Sequence, residues 1–469
     1  MALAFPIRFT LMKHLLTIVA ISFFLSISVM PQASDAKLRN IVEKDKTSRD
    51  PSGKLNTLTV AEHVMRGQTY YDNRQFPQSR EHFQKVFENY PNDPLMSTAL
   101  FLTGRSYYWE REYARAIPFL DRATREYPAT KDGREGLYFK GACNVRIGKN
   151  GEAAAIYEQY TVMYPTAERV EGAYLNMIDA LREAGRYDEA NAWIDKAVQR
   201  FSGMPTEANA MHARLRMDIY RGRWAEAVTT ADTMLAQPKF TASMTSSDEV
   251  KFLKAFAKDK SGKRGDAIAV YSAIPSSSSS YYSGLAADRL AAAGSRVKPT
   301  TQVTSKLTQD FPAAFRTEVL QYSKAKKLDP RFVLAIMKQE SAFRPGVKSP
   351  SAARGLLQLV MDTALKYNKK AGFPNLQPDD LYQPRINIAI GCEYIAALRD
   401  QFGGLNEAIA ASYNGGEDNA ARWLNRSRPK DPGIFASEVG FAETKNYVFK
   451  VMTNYRIYKD LYDENLNAR

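Results

Sequence analysis

The stretch Gly104–Pro128, GRSYYWEREYARAIPFLDRATREYP, decides the fold because it recurs. Its Ala116 has counterparts at Ala153, Ala190 and Ala227, each 37 residues after the last. Ser79 stands 37 residues before Ala116, and Ala267 follows Ala227 by 40. Pro91, Pro128 and Pro165 keep the same step. Gly104, Tyr107, Ala116, Leu120, Ala123 and Pro128 occupy unit positions 8, 11, 20, 24, 27 and 32, and Gly67, Tyr70, Phe83 and Pro91 fill the matching slots one unit earlier. A period of this length is that of a helix pair. Small residues at 8 and 20 let two helices approach, larger apolar groups at 11 and 24 fill the space between them, and proline at 32 stops the second helix. One pair cannot bury its apolar face alone, so roughly six units are expected to stack into a solenoid across residues 57–280.

The pattern resembles the tetratricopeptide repeat, slightly lengthened beyond its usual ~34 residues. Such a solenoid offers either a concave surface for a protein partner or a scaffold, and the repeat does not choose between them. The periodicity breaks at PSSSSS (Pro275–Ser280). Residues 281–306 read as a cap or linker segment, with SYYSGLAADRLAAAG (Ser280–Gly294) forming short helix and Ser295–Ser305 linking onward. A second kind of sequence fills 307–469.

The N-terminus points to an extracytoplasmic compartment. Met12, Lys13 and His14 precede an apolar run from Leu15 to Met30, then small residues at Ala33, Ser34 and Ala36. This order, over residues 1–36, is that of a secretory signal, and the run is shorter than the ~20 residues a spanning helix wants. Periplasmic location is expected, with membrane association only through an uncleaved signal. The formal charge is +14, and removing residues 1–36 takes away Arg8, Lys13 and Asp35 to leave +13. A basic surface suits a polyanion; a signal peptide argues against nucleic acid and for the wall polymer, and no nucleic-acid motif occurs, but charge alone does not choose between them. Cys143 and Cys392 fall in different units and read as buried core thiols. His14, His63, His82 and His212 are scattered, so neither a metal nor another cofactor is expected.

Chemistry is concentrated after Phe311. Asp329-Pro330 starts a helix, with Asp as N-cap and Pro at the first helical position. Val333, Ile336, Met337 and Glu340 then share one face. A carboxylate closing an apolar stripe, in the last turn of a helix, is pushed toward its protonated form by desolvation and by the helix dipole. An acid protonated near neutrality is what general-acid cleavage of a glycosidic bond requires.

Four ordered motifs surround this residue. Glu340-Ser341 is followed by SPSAARGLLQLVMDTA (Ser349–Ala364), IAASYNGGEDNAARWL (Ile409–Leu424) and ETKNYVFKVMTNY (Glu443–Tyr455). Their order is similar to the catalytic domain of the soluble lytic transglycosylases, whose fold is related to goose-type lysozyme. The resemblance rests on Glu340-Ser341; on Ser349, Ala353, Gly355, Leu356 and Gln358; on Tyr413-Asn414 and Gly416; and on Glu443-Thr444 with Tyr447-Val448. Departures are Ala352 for glycine, Leu357 for methionine, and Ser412 and Gly415 for alanines. If the turn after Ser349 needs a positive φ, Ala352 stands where glycine is at ease.

The resemblance implies an all-α protein, a helical-hairpin solenoid followed by a mainly α lysozyme-like domain. It implies cleavage of the β-1,4 bond between N-acetylmuramic acid and N-acetylglucosamine in peptidoglycan strands, with 1,6-anhydromuramoyl ends and Glu340 as sole acid/base. Ser349 and Gln358 are expected to bind an acetamido group, and Tyr413 to cap a sugar face and place its hydroxyl near the cleavage point. Asn414 is expected to brace its loop against backbone, and Glu443 to orient substrate, to support Tyr413 or to cap its helix. Asp362 and Glu417 are expected to face solvent. A hydrolytic muramidase and a glycan-binding adaptor that does not cut stay open as alternatives. Because every motif follows Phe311, a fragment starting near Ser305 is expected to fold and act alone.

Overall fold

The computed structural model describes residues 31–236, 240–295 and 305–469. Most of the expected signal segment, and residues 296–304 of the expected linker, lie outside the described residues. No strand occurs among the described residues, and none of their helices is long and apolar enough to cross a membrane.

Six helix pairs follow one another among these residues, from Val60–Asp72 with Phe76–Asn89 to Ser247–Lys260 with Arg264–Ser272. The positions of the repeat do what their sizes imply. Ala116, Ala153, Ala190 and Ala227 are fully buried. A Cβ on Gly104 would come within 2.7 Å of the Leu120 side chain, so the helices touch where glycine permits it. Both cysteines are free and buried in separate cores, as read from the sequence.

The turn inside each pair shows a second use of the period. Arg74, Arg111, Gly148, Gly185 and Gly222 stand 37 residues apart and all have left-handed backbone, with φ of 60°, 66°, 79°, 74° and 69°. Glycine is at ease there, whereas an arginine costs about 1–2 kcal/mol. Both arginines reach the C-terminal unit. Arg74 grips Asp362 with two bonds of 2.7 and 3.0 Å, and Arg111 pairs with Glu417. Glu417 therefore does not face solvent as expected; it is largely buried against the solenoid, and the half-exposed Asp362 is held in a bidentate pair.

The junction continues along the later turns and deepens. Arg182 and Arg216, from the fourth and fifth pairs, each bond Glu438 at 2.8 Å, and Arg426 approaches the same carboxylate at 3.2 Å. Burial alone would raise the Glu438 pKa, but the three guanidiniums outweigh it and hold the group at about 2. Arg422 and Arg426 bond Glu183 at 2.7 and 3.0 Å. The helix Tyr281–Ala292, in the expected cap segment, stacks Tyr281 on Phe449 at 5.1 Å and donates from Tyr282 to the Gly433 carbonyl. One apolar core runs continuously from Leu215 to Leu466. The expectation of a self-sufficient fragment from Ser305 meets this arrangement badly, because much of the apolar surface and many charges after Ser305 are completed by residues before it.

Candidate active site

The helix Pro330–Ser341 begins as its sequence implies. Asp329 accepts from the Arg331 amide at 2.9 Å, and Pro330 occupies the first turn. Residues 330–337 are buried, and the helix packs along the Ala442–Leu461 helix. Ala342 and Phe343, with φ of 48° and 62°, end it directly after Ser341. Glu340 is thus fixed in the last turn, only partly open to solvent.

Burial and two groups set its proton affinity. Burial raises it, the Tyr447 hydroxyl donates to Oε1 at 2.6 Å and lowers it, and the charge of Glu443 raises it; the result is about 7 against an ordinary 4.5. Tyr447 is itself buried. It stands in the fourth motif, yet sequence reasoning assigned it no role at the site. A tyrosine four residues after Glu443 shares a helix face with it, and that spacing was the available signal.

The other expected residues converge to different degrees. Burial, and then the charge of nearby Glu340, raise the Tyr413 pKa, and its ring packs on Tyr394 at 5.1 Å, which in turn packs on Tyr367 at 5.4 Å. Its hydroxyl, expected near the cleavage point, instead donates to the Leu357 carbonyl at 2.6 Å, so the ring is the part left for a ligand. Ser349 accepts from the Ala353 amide at 3.1 Å, and Gln358 donates to the Val347 and Gly355 carbonyls at 3.0 and 2.8 Å. Their first task is to shape the loop; the Ser349 hydroxyl proton and the Gln358 carbonyl oxygen retain capacity for an amide-bearing ligand. Asn414 braces a side chain, Thr444, at 2.6 Å, rather than backbone. Glu443 is exposed in the first turn of its helix, whose N-cap Phe441 makes no side-chain cap, so its expected capping role is absent.

Two residues organise the Ser349–Gln358 loop. Asn387, fully buried, receives the Leu357 amide at 2.8 Å and donates to the Arg354 and Leu381 carbonyls at 3.0 and 2.8 Å. An asparagine inside the apolar run INIAIGC was the sequence signal for this, and it went unread. Gly355 has φ 79°, and a Cβ there would sit 2.1 Å from the Leu381 carbonyl oxygen, so only glycine fits. Ala352 does adopt the positive φ anticipated for it, 61°. Ala352→Gly is expected to stabilise the protein by about 1 kcal/mol, read as a higher denaturation midpoint, because the left-handed strain exceeds the entropy glycine adds to the unfolded chain.

The arrangement is a carboxylic acid with a proton affinity near neutrality, a tyrosine holding one of its oxygens, an aromatic ladder beside it and a polar loop bonded to that ladder through the Leu357 carbonyl. Residues 318–434 match the family model Transglycosylase SLT domain. The C-terminal unit is an SLT transglycosylase domain. Residues 64–130 and 145–205 of the solenoid match the Tetratricopeptide repeat model. Among similar proteins are the soluble lytic murein transglycosylases of Salmonella typhimurium and Escherichia coli K12. Each is 34% identical over 148 residues, covering 31% of this chain and 23% of the relative. The membrane-bound lytic murein transglycosylase C of Salmonella arizonae is 30% identical over 164 residues, 30% of this chain and 45% of the relative. The match thus spans about a quarter of the length of the soluble relatives and is confined to about a third of this chain. An inactive mutant of the lytic transglycosylase Slt from Pseudomonas aeruginosa superposes over 91% of this chain and 86% of its own at a TM-score of 0.51 and 16% identity, a likeness of fold. The SLT domain and the solenoid before it are therefore joined in one architecture that a solved protein shares.

Proposed function

We propose that this protein is a lytic transglycosylase of the periplasm that cuts peptidoglycan strands between N-acetylmuramic acid and N-acetylglucosamine, with Glu340 as its single acid and base. The observation that carries this reading is Glu340 itself, held near pKa 7 by burial, while the carboxylates of Asp362 and Glu417, within the second and third motifs, are tied to solenoid arginines. A two-carboxylate mechanism needs a second free carboxylate beside the bond. Glu443 is the remaining candidate; it is exposed, and its charge acts on Glu340 by raising the pKa of the acid.

Tyr447 occupies Oε1, which leaves Oε2 to carry the proton. In the first step Oε2 protonates the bridging oxygen, the glycosidic bond breaks, and the substrate's own acetamido oxygen stabilises the cationic C1. Glu340 is then an anion, and the Tyr447 hydrogen bond strengthens to hold it. In the second step that anion removes the C6 hydroxyl proton, and O6 closes onto C1. Proton and electron pairs balance without water, and the product carries a 1,6-anhydro ring. Ser349 and Gln358 supply a donor and an acceptor for the acetamido group, and the Tyr413 ring supplies a sugar platform. Asn414 holds the start of the Ala442–Leu461 helix through Thr444, and the Glu443 charge favours the protonated form of Glu340.

Muropeptides released from purified sacculi are expected to resist borohydride reduction and to weigh one water less than hydrolysis products. Reducing ends of hydrolytic mass would instead make the protein a muramidase, and no release would leave a glycan-binding adaptor.

A further inference from the structure

The first turn and a half of the Ala442–Leu461 helix is held on three sides. Thr444 bonds Asn414 at 2.6 Å, and Tyr447 bonds Glu340 at 2.6 Å. Between them Lys445 points the other way, into the solenoid. Its ammonium bonds Glu249 at 2.7 Å and reaches the Ser437 carbonyl at 3.4 Å. Glu249 lies in the solenoid helix Ser247–Lys260, and His212 from the preceding pair stands 3.0 Å from the same carboxylate oxygen. Lys445, Glu249 and His212 are buried, with side-chain exposures of 2%, 0% and 3%. A buried ammonium and carboxylate that have lost water cannot separate cheaply, since removing one partner leaves an uncompensated charge. The solenoid therefore grips the helix one residue after Thr444 and two before Tyr447.

We infer that Glu249 of the solenoid is a positioning residue for the acid Glu340, acting through Lys445 to seat the Tyr447 hydroxyl on the Glu340 carboxyl. This rests on the reading of Glu340 as the acid. Lys445 and Tyr447 lie roughly opposite each other around the helix, so a pull toward Glu249 fixes the helix rotation that aims Tyr447. The charged and titratable groups around the two ends are known. Tyr447, Glu443, Tyr413 and Tyr394 face Glu340; Glu249, Arg216 and Glu438 face Lys445, with His212 and Tyr282 against Glu249. A repeat that only displayed the SLT domain to its substrate would have no effect on the proton affinity of Glu340.

The test is the pH profile of kcat on a short soluble glycan with the full chain. Because the first step uses protonated Glu340, the rate falls as pH rises through its pKa, and that alkaline limb reports Tyr447. The hydroxyl favours the anion, so losing it raises the pKa and moves the limb upward. Tyr447→Phe should move it by about 0.5–1 pH unit. Glu249→Gln should move it in the same direction and lower kcat by about 10–100-fold, as a misplaced catalytic group does, with KM changed less. Glu249→Asp should recover part of both. The double variant Tyr447→Phe/Glu249→Gln should show no shift beyond Tyr447→Phe alone. Should Glu249→Gln fail to fold, Lys445→Met, which leaves Glu249 paired with His212, carries the same expectation. A folded Glu249→Gln or Lys445→Met with the wild-type limb, or a double variant whose shifts add, overturns the inference. If Glu340→Gln itself retains turnover, the assignment of the acid fails instead, and the two failures are told apart.

Discussion

Glu340→Gln is expected to reduce glycan cleavage by more than ~10⁴-fold while leaving the fold intact. One acid/base group is ordinarily worth ~10²–10⁴, and here the same carboxyl serves both proton transfers. The amide keeps the size and can still accept from Tyr447 at the Oε1 position, so circular dichroism and the solenoid contacts should be unchanged. A second readout follows from linkage. The folded protein holds Glu340 at about 7 against 4.5 for a free carboxyl. Between those pH values the native state keeps a proton that the unfolded chain has released, so this group's contribution falls as pH rises through that window. The amide needs no proton. The variant should therefore melt at a higher temperature than wild type at pH 8, and the gap should close toward pH 4–5. Near-wild-type turnover by pure Glu340→Gln removes the proposed mechanism; an equal melting temperature at both pH values removes the claim that burial strains the carboxylate.

Deleting the solenoid is expected to have the next largest effect. A fragment of residues 305–469 loses Arg182 and Arg216 from Glu438, Glu249 from Lys445, and Glu183 from Arg422 and Arg426. Those charges regain water, so the larger loss is apolar. Phe252 no longer covers Gly433, where its ring now lies 2.3 Å from the Cβ position, and Tyr281 no longer covers Phe449. At about 25 cal/mol per Å², uncovering two or three aromatic contacts consumes several of the ~5–15 kcal/mol that hold an ordinary domain together. The fragment should aggregate or lose near-ultraviolet dichroism, with at least ~100-fold less activity on short glycan. A fragment beginning at Pro205 retains His212, Arg216, Glu249, Phe252 and the Tyr281–Ala292 helix, and should recover a cooperative melt. A 305–469 fragment that melts like the full chain and cleaves short glycan at its rate would show that the seam is only mechanical.

The repeat was legible because its period is local. A glycine at Gly104 and alanines at Ala116, Ala153, Ala190 and Ala227 are required wherever two helices of one pair touch, and those contacts recur at a fixed sequence distance. Glu340 was legible for a similar reason: its helix carries its own cap, Asp329-Pro330, and its own apolar stripe, so the anomaly of a carboxylate on that stripe shows within a dozen residues. The left-handed turn at Ala352 could be anticipated from one substitution in one motif. Tyr447 and Asn387 were harder, because a tyrosine in a helix and an asparagine in an apolar run acquire meaning only from the atoms opposite them, Glu340 Oε1 and the Leu357 amide.

What the sequence by itself determined, then, is everything set by spacing along the chain: helix pairs, the acidic residue at the end of an apolar face, the order of the motifs. What only the tertiary structure decided is which charge meets which across long separations. Arg74 and Asp362 are 288 residues apart, Arg182 and Glu438 are 256 apart, and Glu249 and Lys445 are 196 apart. No periodicity links such pairs. Each charge taken singly reads as a solvated surface residue, and its burial is tolerable only because another part of the chain brings the opposite charge to it.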